Sequence, residues 1–339
     1  METNRQLLTT YTPSLPLELA SARKMKRTAL RAVTIDEKEW REKGAALLKQ
    51  AENVSQRPTN NDRHDKPSES ALTEARNLSL ISEMKLTVLA GEAFKIAGEW
   101  FDSAKLFARA AALFHDSQAA SYYHEAGIAA EKVNPTLAND YYSRAVSLHC
   151  DLLEFKDAAM LLERMAKNYM KKDELVVSIA EFQRASALYK AAGQLDDSDR
   201  TLERAAYLQC KTGDITESSN SFKTLAMSQA TRNATILNVP RYAMRSIILL
   251  LSVPEKSPSE VQDLIDEFSK EDCRFEDSRE LEFVHDIMHS ISLPDIDKFA
   301  DCVYSFHEVY ELDDLMLESL ERLMKKIVVQ KDDDNSTNL

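Results

Sequence analysis

A repeat of about 40 residues constrains the fold of this chain more than any other feature. The pattern aromatic-x-Arg-Ala-x-x-Leu occurs at Phe107–Leu113, Tyr142–Leu148 and Phe182–Leu188, and a degenerate copy begins at Phe222. The aromatic residues are 35, 40 and 40 positions apart. A fixed period of this length is typical of proteins built from stacked supersecondary units.

A second register with the same period predicts two helices in each repeat. Ala126, Ala166 and Ala206 are 40 positions apart. A small residue between two helices lets their axes approach, and the aromatic residue fills the groove of the next pair. One pair cannot bury its apolar stripe alone. The sequence therefore predicts an all-α fold, a TPR-like right-handed helical-hairpin solenoid with a C-terminal helical bundle.

The composition agrees with helices and excludes a sheet of many short strands, because the chain has only six glycines and nine prolines. The predicted helices are 36–52, 70–97, 99–114, 117–131, 135–149, 154–171, 173–192, 196–211, 214–231, 239–251, 258–270, 276–291, 294–309 and 312–330. The predicted domains are a basic N-terminal extension (1–35), the repeats (36–231), the C-terminal bundle (232–330) and an acidic tail (331–339). We expect the polar segment 53–70 to be a loop and the tail to be disordered.

The charge is unevenly distributed along the chain. The net charge of -13 argues against a nucleic-acid partner, which would require clustered Lys and Arg. Residues 1–34 nevertheless carry six basic and two acidic side chains. Two interpretations of this arm stay open: an interfacial helix on anionic lipid, or a helix packed on its own domain. The arm also has a weak similarity to a mitochondrial presequence.

The cysteines and the hydropathy indicate a cytoplasmic protein. Cys150, Cys210, Cys273 and Cys302 show no C-x-x-C spacing, which is typical of reduced thiols packed in a core. No apolar run approaches the ~20 residues that span a bilayer.

The sequence contains no motif that indicates an enzyme. G-x-x-x-x-G-K-[ST] and G-x-S-x-G are both absent, and we expect no cofactor. His285 and His289 stand four apart, a spacing compatible with zinc, but the glutamate next to the first His of a zincin is missing. Two partly exposed histidines are the preferred interpretation.

Specific strings in the sequence resemble the alpha-SNAP family (soluble NSF attachment proteins) over roughly residues 40–330. In order, these are Phe94–Trp100 (FKIAGEW), Ala130–Pro135 (AEKVNP), Phe275–Glu280 (FEDSRE), and Leu312–Asp314 (LDD) followed by Leu323–Ile327 (LMKKI). The resemblance implies a non-enzymatic adaptor that binds SNARE four-helix bundles and recruits and stimulates NSF, a hexameric AAA+ ATPase. Such an adaptor acts in SNARE disassembly during vesicle-mediated transport and is peripheral on membranes.

The resemblance also suggests residues for the SNARE contact. SNARE bundles are acidic, so cations are expected on the binding face. The family's basic positions are matched by Lys132, Arg200 and Arg204, and Arg241 is a further candidate. Glu154 and Met160 stand where the family has basic residues. Besides Arg241, the candidates to replace those missing positive charges are Lys156 and Arg245.

The two ends of the chain depart from the family pattern. The family's membrane-binding loop is apolar, whereas 53–70 has no aromatic residue, so the N-terminal arm is the alternative membrane contact. The family's C-terminus couples to NSF through acidic residues and a penultimate leucine. The corresponding residues here are Asp332, Asp333, Asp334 and the terminal Leu339. Neighbouring acidic residues offer a substitute for the family's other acidic cluster; these are Glu276, Asp277, Glu280, Asp295 and Asp297.

A second hypothesis comes from the repeat alone. The chain could instead be a structural helical-repeat subunit of another trafficking or lid-type complex. The repeated Arg109, Arg144 and Arg184 recur with the packing motif, which favours a structural role over a ladder of partner contacts.

Overall fold

A computed structural model describes the backbone of residues 69–232, 238–254 and 256–337, together with 39, 41–43, 45–50 and 52–53. Side chains are described chiefly between 80 and 329. The N-terminal extension 1–35, most of the polar segment 53–70 and Leu339 lie outside the described residues.

The described residues form helices joined by short turns, and they contain no strand. The all-α prediction is therefore confirmed. The helices are α1 (Glu69–Ile96), α2 (Trp100–Leu113), α3 (Asp116–Glu131), α4 (Pro135–Asp151), α5 (Phe155–Lys171), α6 (Leu175–Ala191), α7 (Leu195–Thr212), α8 (Ile215–Thr231), α9 (Asn238–Ser252), α10 (Pro258–Glu271), α11 (Arg279–Ser292), α12 (Ile296–Val309) and α13 (Asp314–Thr337).

The chain divides into two compact units, Met1–Tyr141 and Tyr142–Leu339. In the first unit α1 packs on α2, and α2 packs on α3. In the second unit α5 to α9 pack in sequence, each on the next. Helices α10, α11 and α13 pack on α9, and α12 packs on α11 and α13. The domain limits drawn from the sequence stay a prediction.

The repeated residues form the contacts between helices of the second unit. Tyr142, Phe182 and Phe222 are fully buried, as are Ala166 and Ala206 of the other register. The alanines let neighbouring helices approach closely, and the aromatic rings fill the grooves between them. This is the role that the sequence predicts for both sets of residues.

The turns between the helices repeat as well. Leu153, Asp173, Gly193 and Gly213 all have positive φ and are 20 positions apart, so each half-repeat ends in a left-handed residue. Leu153 adopts φ 58° although its side chain is 72% exposed and gains no packing in return. Glycine suits this backbone better, because it has no Cβ to collide with the carbonyl.

A buried serine hydrogen bond joins consecutive helices at four turns, which are those of Gly98, Asp173, Gly193 and Gly213. The serine hydroxyl in the first turn of one helix donates to the carbonyl 12 residues earlier, over 2.7 to 2.9 Å. The pairs are Ser103 to Gly91, Ser178 to Ala166, Ser198 to Ser186, and Ser218 to Ala206. Each bond satisfies a hydroxyl that would otherwise be buried without a partner.

One part of the sequence prediction is wrong. The tail 331–339 was expected to be disordered, but α13 continues through Thr337. No glycine or proline follows Leu312, so neither of the two strongest helix breakers stops the helix before its polar end.

Candidate functional site

Three cations surround one buried carboxylate between α5 and α7. Glu163 Oε1 accepts hydrogen bonds from Lys167 Nζ at 2.8 Å, Arg200 Nη1 at 3.0 Å and Arg204 Nη1 at 2.5 Å. Tyr189 Oη of α6 donates to Glu163 Oε2 at 3.4 Å. We call these five residues the Glu163 cluster.

Helix periodicity and packing place these side chains together. Glu163 and Lys167 lie one turn apart on α5, and Arg200 and Arg204 lie one turn apart on α7. Because α6 packs against both helices, α5 and α7 become neighbours on the same side of it, and the arginines reach Glu163 across the gap.

The cluster holds Glu163 ionised. Burial alone would raise the pKa of this carboxyl, but hydrogen bonds from Lys167 and Arg200 outweigh burial and lower the pKa to about 2. Burial, followed by the nearby Glu163 charge, raises the pKa of Tyr189 to about 12, so its phenol stays a donor. The hydrogen bond to Asp197 raises the pKa of Arg200.

The cluster presents excess positive charge to solvent. Lys167, Arg200 and Arg204 have side chains 48%, 43% and 41% exposed, whereas Glu163 is 8% exposed. Asp197 is the second carboxylate, 2.8 Å from Arg200 Nη2. Three cations against two carboxylates leave one net positive charge on a protein whose total charge is -13.

The other predicted SNARE contacts occupy different positions. Lys132 is exposed at the end of α3, in the first unit. Lys156 is exposed in the first turn of α5, and Arg241 is exposed in the first turn of α9. Within the part of the chain that the structure describes, Arg241 makes no contact with the Glu163 cluster.

The interpretation of Arg245 as a partner contact is wrong. Its side chain is 3% exposed and pairs with Asp313 and Glu203, and its guanidinium lies 5.3 Å from the ring centroid of Tyr207. Asp313 also accepts a hydrogen bond from Tyr207 Oη at 2.5 Å and from the backbone N–H of Met316 at 3.1 Å. Arg245 therefore fixes the start of α13 against α7 and α9.

The repeated arginines vary in their contacts. Arg109 Nη2 pairs with Glu83 at 2.7 Å across α1 and α2, which agrees with a structural role. Arg184 pairs with Glu181 on its own helix at 2.8 Å and is 58% exposed.

The residues proposed for NSF coupling are described only in part. Asp332, Asp333 and Asp334 lie in α13, whose backbone alone is described there, and Leu339 lies beyond it. Of the substitute acidic residues, Glu280 is partly exposed and four are exposed. These four are Glu276, Asp277, Asp295 and Asp297.

The histidines separate into two groups. His285 and His289 are both exposed on α11. His149, which the sequence analysis did not select, is buried, and its Nδ1 lies 2.7 Å from Glu154 Oε2; Asp157 lies close enough to complete a possible ligand set. The His149–Glu154 hydrogen bond already accounts for this pair as a link between α4 and α5.

The cysteines are unpaired, as expected, but they do not all lie in a core. Cys210 is buried, Cys150 and Cys302 are partly buried, and Cys273 is exposed. Among the described helices, none has the length and apolar character that crossing a bilayer requires.

A family model described as "Soluble NSF attachment protein, SNAP" matches residues 83–328, more than half of the chain. The chain belongs to the SNAP family. The match covers the Glu163 cluster, Lys132, Arg241 and the helices from α2 to α12. The SNAP family implies a protein-binding adaptor.

None of the curated proteins compared matches this SNAP-family chain. Among solved structures, it is similar to a putative kinesin light chain of Podosopora anserina with nearly identical TPR-like repeats. That pair shares 11% identity over 57% of this chain and 97% of the other, with a TM-score of 0.35. It is also similar to the Rap conjugation gene regulator of plasmid pLS20 in complex with the Phr* peptide. Here identity is 11% over 87% of this chain and 94% of the other, with a TM-score of 0.32.

Proposed function

We propose that this SNAP-family protein is an adaptor that binds SNARE four-helix bundles and recruits and stimulates NSF for SNARE disassembly. It would act in the cytoplasm and on membranes as a peripheral protein. The observation that carries the proposal is the Glu163 cluster, which exposes three half-accessible cations on an otherwise acidic protein.

Electrostatics explains how such a cluster favours an acidic rod. A negatively charged bundle is repelled by the net charge of -13, so productive encounter requires a local positive surface. Charges of this kind raise the association rate and set the register more than they raise affinity. Lys132 and Arg241, both exposed, are further proposed contacts with the bundle.

The first experiment measures SNARE binding. The variant Arg200→Glu with Arg204→Glu should weaken binding to an assembled SNARE bundle by about 10-fold or more at low salt and reduce the salt dependence. Arg184→Glu with Lys190→Glu is the matched control, because it makes the same charge change at two exposed positions of α6. If the charge-reversed variant at 200 and 204 binds the bundle as tightly as the control variant at 184 and 190, the Glu163 cluster is not part of the SNARE contact.

A milder variant is the control for a loss of stability. Glutamate at positions 200 and 204 would place four carboxylates together, since Glu163 and Asp197 are already there, and their repulsion would destabilise this region. Arg200→Gln with Arg204→Gln removes the charges without that repulsion and should give a smaller loss in the same direction.

The second experiment measures coupling to NSF. We propose that Asp332, Asp333, Asp334 and Leu339 engage the ATPase. Removal of 331–339, or Leu339→Ala alone, should abolish stimulation of ATP hydrolysis and SNARE disassembly while SNARE binding persists. Asn338→Ala is the control at the neighbouring position. Undiminished stimulation by the truncated protein would refute this assignment.

A further inference from the structure

An open apolar pocket adjoins the Glu163 cluster. Its volume is about 310 Å³. Two residues from α5, one from α6 and three from α7 line it: Lys167, Met170, Phe182, Arg204, Tyr207 and Leu208.

 We call this pocket the Phe182 pocket.

The Phe182 pocket has apolar walls and a cationic rim. Phe182 is fully buried and Leu208 is 8% exposed, whereas Met170 is 42% exposed at the mouth. Lys167 and Arg204 bring their charged ends to Glu163, so their aliphatic stems face the pocket and their charges lie at its edge. Apolar walls offer water few hydrogen bonds, so a bound apolar group would replace water favourably.

The size suits one large side chain. An apolar cavity of about 150 Å³ is enough to hold benzene, and the Phe182 pocket has roughly twice that volume and is open to solvent. One leucine, methionine or phenylalanine from a partner therefore fits without rearrangement of the walls.

We propose that the Phe182 pocket receives one bulky apolar side chain of an acidic helical partner, whose neighbouring carboxylates pair with Lys167 and Arg204. The charge of the rim selects an acidic partner. A helix is the suitable form, because positions three or four apart lie on one face and present an apolar residue beside carboxylates. This inference rests on the proposed function and adds a salt-insensitive apolar anchor to it.

The test replaces Met170 by lysine and, separately, by glutamate. Each variant puts a charge at the mouth, and Met170 is exposed enough that the fold should tolerate both. If an apolar side chain enters the pocket, both variants should weaken binding to an assembled SNARE bundle about 10-fold, and the loss should persist at about 0.5 M salt. Val177→Lys and Val177→Glu, at a position of α6 that is 40% exposed, are the matched controls.

The opposite result has a distinct signature. If charge alone governs the contact, Met170→Lys strengthens binding, Met170→Glu weakens it, and both effects vanish at high salt; this outcome overturns the apolar anchor while leaving SNARE binding intact. Failure of the unmodified protein to bind the bundle overturns the proposed function and the anchor together.

A photo-crosslinking residue at position 170 locates the partner side chain. We expect crosslinks to an apolar residue with a carboxylate three or four positions away. Crosslinks confined to segments without such carboxylates contradict the proposal.

Discussion

Replacing Glu163 by glutamine should change stability and partner binding in opposite directions. The substitution keeps the size of the side chain and removes its charge. Glu163 is the carboxylate on which Lys167, Arg200 and Arg204 converge. Its loss leaves the neighbouring Asp197, which pairs with Arg200, as the carboxylate beside the three cations.

The stability change follows from the pKa of Glu163, which is about 2 against an ordinary 4.5. Because the folded pKa lies below the unfolded value, ionised Glu163 stabilises the fold above about pH 4.5, and this contribution is lost as the pH falls towards 2. For a group shielded completely from solvent, a pKa shift of that size corresponds to about 3 kcal/mol of stability. The cationic partners are 41% to 48% exposed, so solvent screening reduces the expected loss in Glu163→Gln to about 1–2 kcal/mol.

The binding change has the other sign. Removing one negative charge about 8 Å from a partner carboxylate relieves roughly 0.5 kcal/mol of repulsion in a water-like dielectric. The affinity for an acidic SNARE bundle should therefore rise about twofold at low salt and return to the wild-type value at about 0.5 M salt.

Two measurements on the same samples test this reasoning. Urea unfolding at neutral pH and between pH 5 and pH 3 gives the stability, and the variant should show a weaker acid dependence than the wild type. Titration with a SNARE bundle gives the affinity. Glu267→Gln is the control, because it removes a half-exposed partner of Lys223 elsewhere in the same unit. Weaker binding by folded Glu163→Gln would show that Glu163 orients the arginines, which refutes the charge argument.

Three further substitutions test the fold by chemical unfolding. Leu153→Gly should stabilise by about 0.5–1 kcal/mol, since it relieves a left-handed leucine that is 72% exposed; destabilisation would mean that Leu153 packs on something. Ser218→Ala should cost about 1 kcal/mol through loss of the 2.7 Å bond to the Ala206 carbonyl, and an unchanged midpoint would contradict that. Asp313→Asn should cost about 3 kcal/mol, because Arg245 is 3% exposed and loses its nearest carboxylate; a near-neutral effect would show that Glu203 suffices.

The helices could be predicted from the sequence because their signals are local. The repeat places an aromatic residue and an alanine on the buried face of each pair, and turns follow at fixed spacing. Pro135 was expected in the first turn of a helix and begins α4. The end of α13 was predicted badly, because Asp, Asn, Ser and Thr are weak helix formers and an acidic polar segment resembles a disordered tail in composition.

The contacts between helices were less predictable. Arg200 and Arg204 were identified by their match to the family pattern, but Glu163 was missed, since nothing in its local sequence distinguishes it from other glutamates on amphipathic helices. Arg245 was misassigned because a cation in an apolar helix has the same sequence signal whether it faces solvent or a buried carboxylate. Its partner Asp313 is 68 positions away. The serines that link the turns did carry a signal, since Ser178, Ser198 and Ser218 recur every 20 positions.

The Glu163 cluster shows why a folding requirement and a binding surface can share residues. A carboxylate that is 8% exposed needs cations, and the arginines of α7 supply them, which joins α5 to α7. The same arginines remain more than 40% exposed. Each guanidinium has five N–H donors, so some of them do not bond to Glu163 and can bond to a partner. Since Glu163 and Asp197 neutralise only two of the three cations, stabilising the helix contact does not remove the positive surface. A partner carboxylate can therefore bind at the cluster without breaking the contacts that hold α5 and α7 together.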